Sequence, residues 1–170
     1  MNLKKLVFLS LLVSCALVLS IIENMIPVPI PVPGVKLGLV NIVFLLTLVL
    51  FGFKEALIVV IIRGLTMSLA TGNISGVIYS LPSSVISTVV MAIIYKYLSN
   101  YFSLIGVSLF GAIAFNTAQI SIASLLMQNT SIFTYLPIMS ITSIFTGCFI
   151  GLTVKEAKGK IRVSLKNYKN

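Results

Sequence analysis

Six long apolar segments occupy most of the chain, and they limit it to folds that satisfy the backbone inside a lipid bilayer. They run roughly through residues 5–26, 37–52, 54–70, 74–97, 104–127 and 136–154. Hydrophobic residues make up 58% of the 170 and charged residues 9%, unlike a soluble globular domain. At about 1.5 Å per helical residue most segments reach the ~30 Å hydrocarbon thickness, while the second and third are short. The sequence predicts an all-α polytopic membrane protein with six transmembrane helices.

Basic residues predict the orientation, because cytoplasmic loops retain Lys and Arg during insertion. With the amino terminus inside, ten of the twelve fall on the cytoplasmic side: Lys4, Lys5, Lys54, Lys96, Lys155, Lys158, Lys160, Arg162, Lys166 and Lys169. Lys36 alone falls outside. We therefore expect a solute-binding bundle over residues 1–154, a basic tail over 155–170 and both termini in the cytoplasm. Basic charge directly after a span indicates attraction to anionic membrane lipids, or docking to a cytoplasmic partner, rather than binding to nucleic acid.

The residues that are missing exclude most kinds of catalysis. The chain has neither Asp nor His, and its acids are Glu23, Glu55 and Glu156. It therefore cannot assemble an aspartate-rich magnesium site, a histidine zinc site or a Ser-His-Asp relay. No glycine-rich phosphate loop ending in Gly-Lys-Ser or Gly-Lys-Thr is present. We expect no catalytic residues, no metal and no cofactor, and the chain is not expected to be an enzyme.

Polar residues inside the apolar segments are the candidate binding residues. Arg63 lies near the middle of an apolar run, where a guanidinium costs at least about 2.5 kcal/mol unless something compensates it. Glu23 lies about one turn from the outer end of the first span, and Asn41 about one turn into the second. Asn116 and Gln119 are three residues apart on the fifth span and share one face. All five occupy the outer half or the midplane, where a solute arriving from outside would be received.

Each candidate also has a structural interpretation. Glu23 and Arg63 could form an ion pair, since their expected depths differ by roughly 6 Å. Asn116 and Gln119 could hydrogen-bond between helices, as amides often do in membranes. Lys36 could extend from the membrane interface into water, or it could provide a second positive contact for an anion.

Two further patterns concern the outer loop and the first helix. Residues 27–34 carry four prolines at alternate positions, which predicts an extended apolar segment. It would cover a cavity as a stiff flap, or it would lie at the interface as a rigid connector. Ala16 and Ser20, like Ser10 and Ser14, are small residues four apart, a spacing that lets another helix approach closely. That helix would belong either to the same bundle or to a partner protein.

Three stretches of the chain resemble a family of small bacterial membrane proteins called Gx transporters. They are residues 22–27, residues 33–42, which begin Pro-Gly-Val-Lys-Leu-Gly, and residues 106–112, followed by Asn116 and Gln119. The resemblance spans nearly the whole chain up to the basic tail. The family is related to the S components of energy-coupling factor transporters and is often labelled heptaprenyl diphosphate synthase component I. Where the family typically has His before the Asn, this chain has Phe115, so a ligand contact by that imidazole is not expected here.

The resemblance implies an S-component-like bundle in the bacterial plasma membrane. Such a bundle captures a small solute, of the vitamin or cofactor precursor class, on the outer side under its first loop. It then docks with a transmembrane coupling subunit and two ATPase subunits. S components use small residues of the first helix for this docking, which would assign Ala16 and Ser20 to the partner interface.

The family label suggests a different function. A membrane accessory of heptaprenyl or polyprenyl diphosphate synthesis, in isoprenoid quinone metabolism, is the alternative. Prenyl chain elongation needs aspartate-rich clusters that hold magnesium, and the chain has no Asp, so it is not expected to catalyse that step itself. A scaffold or lipid-interacting protein without any solute is the third interpretation.

Overall fold

Six α-helices form the fold of the part of the chain that the computed structural model describes, residues 3–26, 36–72 and 74–167. They are α1 (Leu3–Met25), α2 (Asn41–Phe51), α3 (Phe53–Thr71), α4 (Ile74–Tyr97), α5 (Leu104–Met127) and α6 (Leu136–Asn167). A short 3₁₀ helix, Thr130–Tyr135, precedes α6. The predicted all-α bundle of six helices is confirmed. The proline-rich residues 27–34, predicted to form a flap or connector, lie outside the described residues.

Four helical stretches in the described part of the chain are long and apolar enough to cross a membrane. They are Leu3–Met25, Gly76–Tyr97, Leu104–Met127 and Thr130–Ile161. The second span is shorter than predicted, because the helix begins at Asn41 rather than near residue 37. Its 11 residues cover about 16 Å, roughly half of the hydrocarbon thickness. Residues 36–40, which we call the pre-α2 segment, are therefore irregular backbone, and residues 37–40 of it belong to the predicted second span.

Glycines let α5 and α6 approach closely. Gly147 and Gly151 are four residues apart on α6, the small-residue spacing of tightly packed membrane helices. A Cβ atom on Gly151 would lie 2.4 Å from Ile105 Cα, and one on Gly147 would lie 2.8 Å from Leu109 Cα. The Ser108 hydroxyl donates a hydrogen bond to the Gly147 carbonyl. Backbone therefore meets backbone along this interface.

Helix α1 lies at the edge of the bundle, where among the described elements it contacts only α2 and α3. Many of its large apolar side chains are exposed, as on a lipid-facing helix: Leu6, Val7, Leu11, Val18, Ile21 and Ile22. At its amino-terminal end, Lys5 Nζ lies 2.5 Å from Glu55 Oε1 on α3. This ion pair joins α1 to α3 at the predicted cytoplasmic end.

The predicted tail begins as a continuation of α6 rather than as a separate segment. The helix runs to Asn167, so its 32 residues measure about 48 Å and exceed the hydrocarbon thickness. Ala157 and Ile161 pack against the buried core. Lys158 Nζ lies 5.9 Å from the centre of the Tyr95 ring, within the range of a cation–π contact.

Candidate functional site

The pre-α2 segment is held in place by side chains of two other helices. The Glu23 carboxylate on α1 accepts hydrogen bonds from the backbone N–H groups of Gly38 and Leu39, the latter at 3.1 Å. Gln119 Oε1 on α5 accepts one from the Lys36 N–H at 3.2 Å. Irregular backbone at membrane depth is tolerated only where protein groups satisfy it. Glu23 and Gln119 therefore position the wall of a site at the end of the bundle predicted to face outward.

Gly38 gives this segment its shape. Its φ of +82° lies in the left-handed region, which side chains rarely adopt. A Cβ atom here would lie 3.0 Å from Asn41 Nδ2 and 3.3 Å from Phe115 Cδ1. Gly38 thus lets the segment pass close to both side chains. It also explains why α2 begins late, so that Asn41 is the first residue of the helix and not one turn inside it.

Arg63 is buried, with 3% of its surface exposed. Its Nε donates a hydrogen bond to Ser20 Oγ at 2.7 Å, and the Ser20 hydroxyl in turn donates to the Ala16 carbonyl at 2.6 Å. No described residue accepts a hydrogen bond from the two terminal nitrogens of Arg63. Within the described chain, no carboxylate lies within 4 Å of Arg63, so the ion pair considered for Glu23 and Arg63 does not form directly.

Charges nevertheless gather around Arg63. Burial lowers the pKa of Lys36, the neighbouring charge of Arg63 lowers it further, and Glu23 acts in the opposite direction. Glu23 also interacts electrostatically with Arg63. We call Glu23, Lys36 and Arg63 the cationic cluster, since it holds two basic groups and one acid.

Asn41 is the buried amide that the protein leaves unused. Only 2% of its surface is exposed, and neither Nδ2 nor Oδ1 has a hydrogen-bond partner. More than nine in ten buried polar groups in proteins are hydrogen-bonded, so an amide without any bond needs an explanation. A ligand that accepts from Nδ2 or donates to Oδ1 would provide one.

Asn116 is arranged differently. Its Nδ2 donates to the Met139 carbonyl at 3.1 Å and to Ser143 Oγ at 2.6 Å, both on α6. Oδ1 has no partner. These contacts agree with the interhelical interpretation of Asn116. The structure therefore brings Glu23, Lys36, Asn41 and Gln119 together around the pre-α2 segment, while Asn116 joins α5 to α6.

Ala16 and Ser20, predicted to dock a partner helix, are completely buried. Ser20 instead binds the Arg63 guanidinium, so neither side chain is accessible to another protein in this conformation. The alternative interpretation, packing within the bundle, agrees with this placement. The sequence signal for Ser20 was its position three residues before Glu23, which puts both side chains on one face of α1.

An apolar groove of about 480 Å³ lies between α4 and α5 and shares no residue with the pre-α2 segment or the cationic cluster. Its lining is Ile86, Val90, Phe110, Ile113, Ala114, Thr117, Ala118, Ser121 and Ile122. Its surface offers few polar contacts to a polar solute. Among the described residues, no group of three His, Cys, Asp or Glu side chains could hold a metal ion.

A family model described as heptaprenyl diphosphate synthase component I matches residues 12–157, which include every residue of the candidate site. No curated protein and no solved structure matches the chain.

Proposed function

We propose that this chain, which belongs to the heptaprenyl diphosphate synthase component I family, is the solute-binding subunit of a membrane importer. Membership in that family confirms the resemblance found in the sequence. The observation that carries the proposal is the buried Asn41 amide, whose Nδ2 and Oδ1 have no hydrogen-bond partner, close to the cationic cluster. An unsatisfied buried polar group costs about 1–3 kcal/mol, and a charged one costs more. A solute that bonds to the Asn41 amide would recover this free energy, and the Arg63 guanidinium would attract it.

The geometry around these groups supports a binding role. Glu23 and Gln119 fix the pre-α2 segment from two sides, so the wall of the site is formed before a solute arrives. Membrane transporters commonly place substrates beside interrupted helices, because free helix ends and irregular backbone offer polar groups there. In this scheme Arg63 and Lys36 attract the solute and Asn41 provides directional hydrogen bonds. Gln119 positions the backbone.

Energy for import would come from other proteins. We expect a transmembrane coupling subunit and two ATPase subunits, because the chain has no phosphate-binding loop of its own. The chain would bind and hand over the solute without catalysing a reaction. It would lie in a bacterial plasma membrane as a multi-pass protein with both termini in the cytoplasm, as its basic residues predict.

Arg63→Ala tests the proposal. We expect wild-type protein purified in mild detergent to release a small molecule on denaturation, and the variant to release less than about a tenth as much, since a lost charged hydrogen bond is worth at least that ratio. Quantitative mass spectrometry measures both. Lys96→Ala is the matched control, because Lys96 lies in the last turn of α4, at the predicted cytoplasmic end of the bundle. This variant should retain the solute. Folded Arg63→Ala protein that keeps the wild-type amount would contradict the proposal.

The second candidate is an accessory of prenyl diphosphate synthesis, which the description of the family favours. The chain would then be the membrane partner of a soluble synthase and would handle a lipid or quinone precursor. Copurification separates the candidates. ATPase subunits in the complex support the importer, a soluble synthase supports the accessory, and lipids alone support a scaffold.

A further inference from the structure

The charges in the cationic cluster do not balance. In their ordinary ionised forms Lys36 and Arg63 carry two positive charges and Glu23 carries one negative charge, and the Glu23 carboxylate accepts hydrogen bonds from the backbone N–H groups of Gly38 and Leu39. The next described acid along α3, Glu55, pairs with Lys5 at the other end of the helix. One positive charge is therefore left without a counter-charge beside the buried Arg63, which favours binding an anion.

The unused groups are mainly hydrogen-bond donors. They comprise the two terminal nitrogens of Arg63 and Nδ2 of Asn41, while Oδ1 of Asn41 is the acceptor among them. A guanidinium presents parallel N–H groups whose spacing fits the two oxygens of a carboxylate. The donors thus select an acceptor-rich group, and the charge selects a negative one.

A diphosphate fits these residues poorly. It carries two or more negative charges and would turn the excess of positive charge into an excess of negative charge. Proteins normally offset such groups with a divalent cation held by acidic side chains. The described residues contain no group of acids that could hold one.

From this balance we infer that the solute presents a single negative charge, as an organic carboxylate does, to Arg63 and Lys36, with Asn41 bonding beside it. The inference rests on the proposed solute-binding function. It also separates the two candidate functions, because a prenyl diphosphate would be rejected by this site.

Three probes of similar shape test the inference: benzoate, its neutral counterpart benzamide, and phenylphosphonate, all in one weakly alkaline buffer just above the second ionisation of the phosphonate. Binding to the full-length protein in detergent is measured from the rise in thermal midpoint at constant ionic strength. We expect benzoate to bind at least about tenfold more tightly than either of the other probes. Arg63→Met should remove that preference, and Lys96→Met should leave it unchanged. Equal binding of benzoate and benzamide, or tighter binding of phenylphosphonate, would overturn the inference.

Glu23→Gln provides a second, independent readout. The amide oxygen can still accept the Gly38 and Leu39 hydrogen bonds, but the cluster then holds two uncompensated positive charges. The preference should move from benzoate toward phenylphosphonate by about tenfold. An unchanged preference in this folded variant would contradict the charge balance.

The solute released on denaturation distinguishes the ways in which the account can fail. A released monoanion supports the inference even if none of the probes fits the site. A released neutral molecule or polyanion overturns the inference and leaves the proposed function standing. If no small molecule is released and none of the probes binds, both are wrong.

Discussion

Asn41 and Asn116 are both buried asparagines in a membrane bundle, yet the protein uses their amides in opposite ways. The Asn116 amide donates hydrogen bonds to the Met139 carbonyl and to Ser143 Oγ of the neighbouring helix. Neither the donor nor the acceptor of the Asn41 amide has a hydrogen-bond partner. The sequence alone does not distinguish the two asparagines. The difference makes Asn41 the stronger binding candidate, because both of its polar atoms lack a partner, whereas Asn116 lacks one for Oδ1 alone.

The surroundings of the two residues differ in the same way. Asn116 lies in the half of the bundle where α5 and α6 touch backbone to backbone at Gly147 and Gly151. Asn41 lies beside the irregular pre-α2 segment, which depends on Glu23 and Gln119 for its hydrogen bonds. The first region is tightly packed, and of the Asn116 amide only Oδ1 lacks a hydrogen-bond partner. The second holds the Asn41 amide without a partner and the cationic cluster, and a ligand would compensate both.

The largest loss of stability is expected from a substitution at the contact between α5 and α6. Gly151→Ala would place a methyl group 2.4 Å from Ile105 Cα, so the helices must separate, and we expect a loss of about 3 kcal/mol of stability. Gly159→Ala on the same helix meets no atom within 4 Å and should be neutral or slightly stabilising. Thermal midpoints of the two purified variants measure the difference. Equal midpoints would show that the α5–α6 contact is not tight.

Removing the hydrogen bonds that hold the pre-α2 segment should lower stability by less. Glu23→Ala leaves the Gly38 and Leu39 N–H groups without an acceptor and should cost about 2 kcal/mol or more. Glu23→Gln keeps an acceptor oxygen and should recover most of that stability. Chemical or thermal unfolding in detergent compares the two. If the Ala and Gln variants are equally stable, Glu23 does not support the pre-α2 segment.

The smallest effect concerns the pH dependence of stability. Burial and Arg63 lower the pKa of Lys36 in the folded protein, so the unfolded chain binds more protons between that lowered value and lysine's ordinary value. Stability should therefore rise with pH through this alkaline window, and Lys36→Met should remove that part of the rise. Because Lys36 is only partly buried, we expect less than about 1 kcal/mol. If the wild type and Lys36→Met show the same dependence of stability on pH, Lys36 does not contribute to the rise.

The number of helices could be predicted from the sequence, because long apolar segments with short polar connections leave few alternatives in a bilayer. The gathering of Glu23, Asn41 and Gln119 at one end followed from their similar expected depths. Such arguments need only the rise per residue and the direction of each helix.

Other features could not be predicted, because they depend on contacts between distant residues. The late start of α2 requires Gly38 in a left-handed conformation and a carboxylate from α1 to replace the missing helical bonds. The burial of Ala16 and Ser20 depends on where α3 packs, which their spacing does not reveal. The contribution of Gly147 and Gly151 was visible as a spacing of four, but only the helix contact shows which helix they meet.

One paired measurement tests the contrast between the two asparagines most directly: stability and solute content of Asn41→Leu and Asn116→Leu. Asn41→Leu removes an amide that has no partner, so we predict unchanged or raised stability together with loss of the bound solute. Asn116→Leu removes two interhelical hydrogen bonds, so we predict a loss of about 1 kcal/mol with the solute retained. If Asn41→Leu keeps its solute while Asn116→Leu loses it, the binding site does not lie at the start of α2.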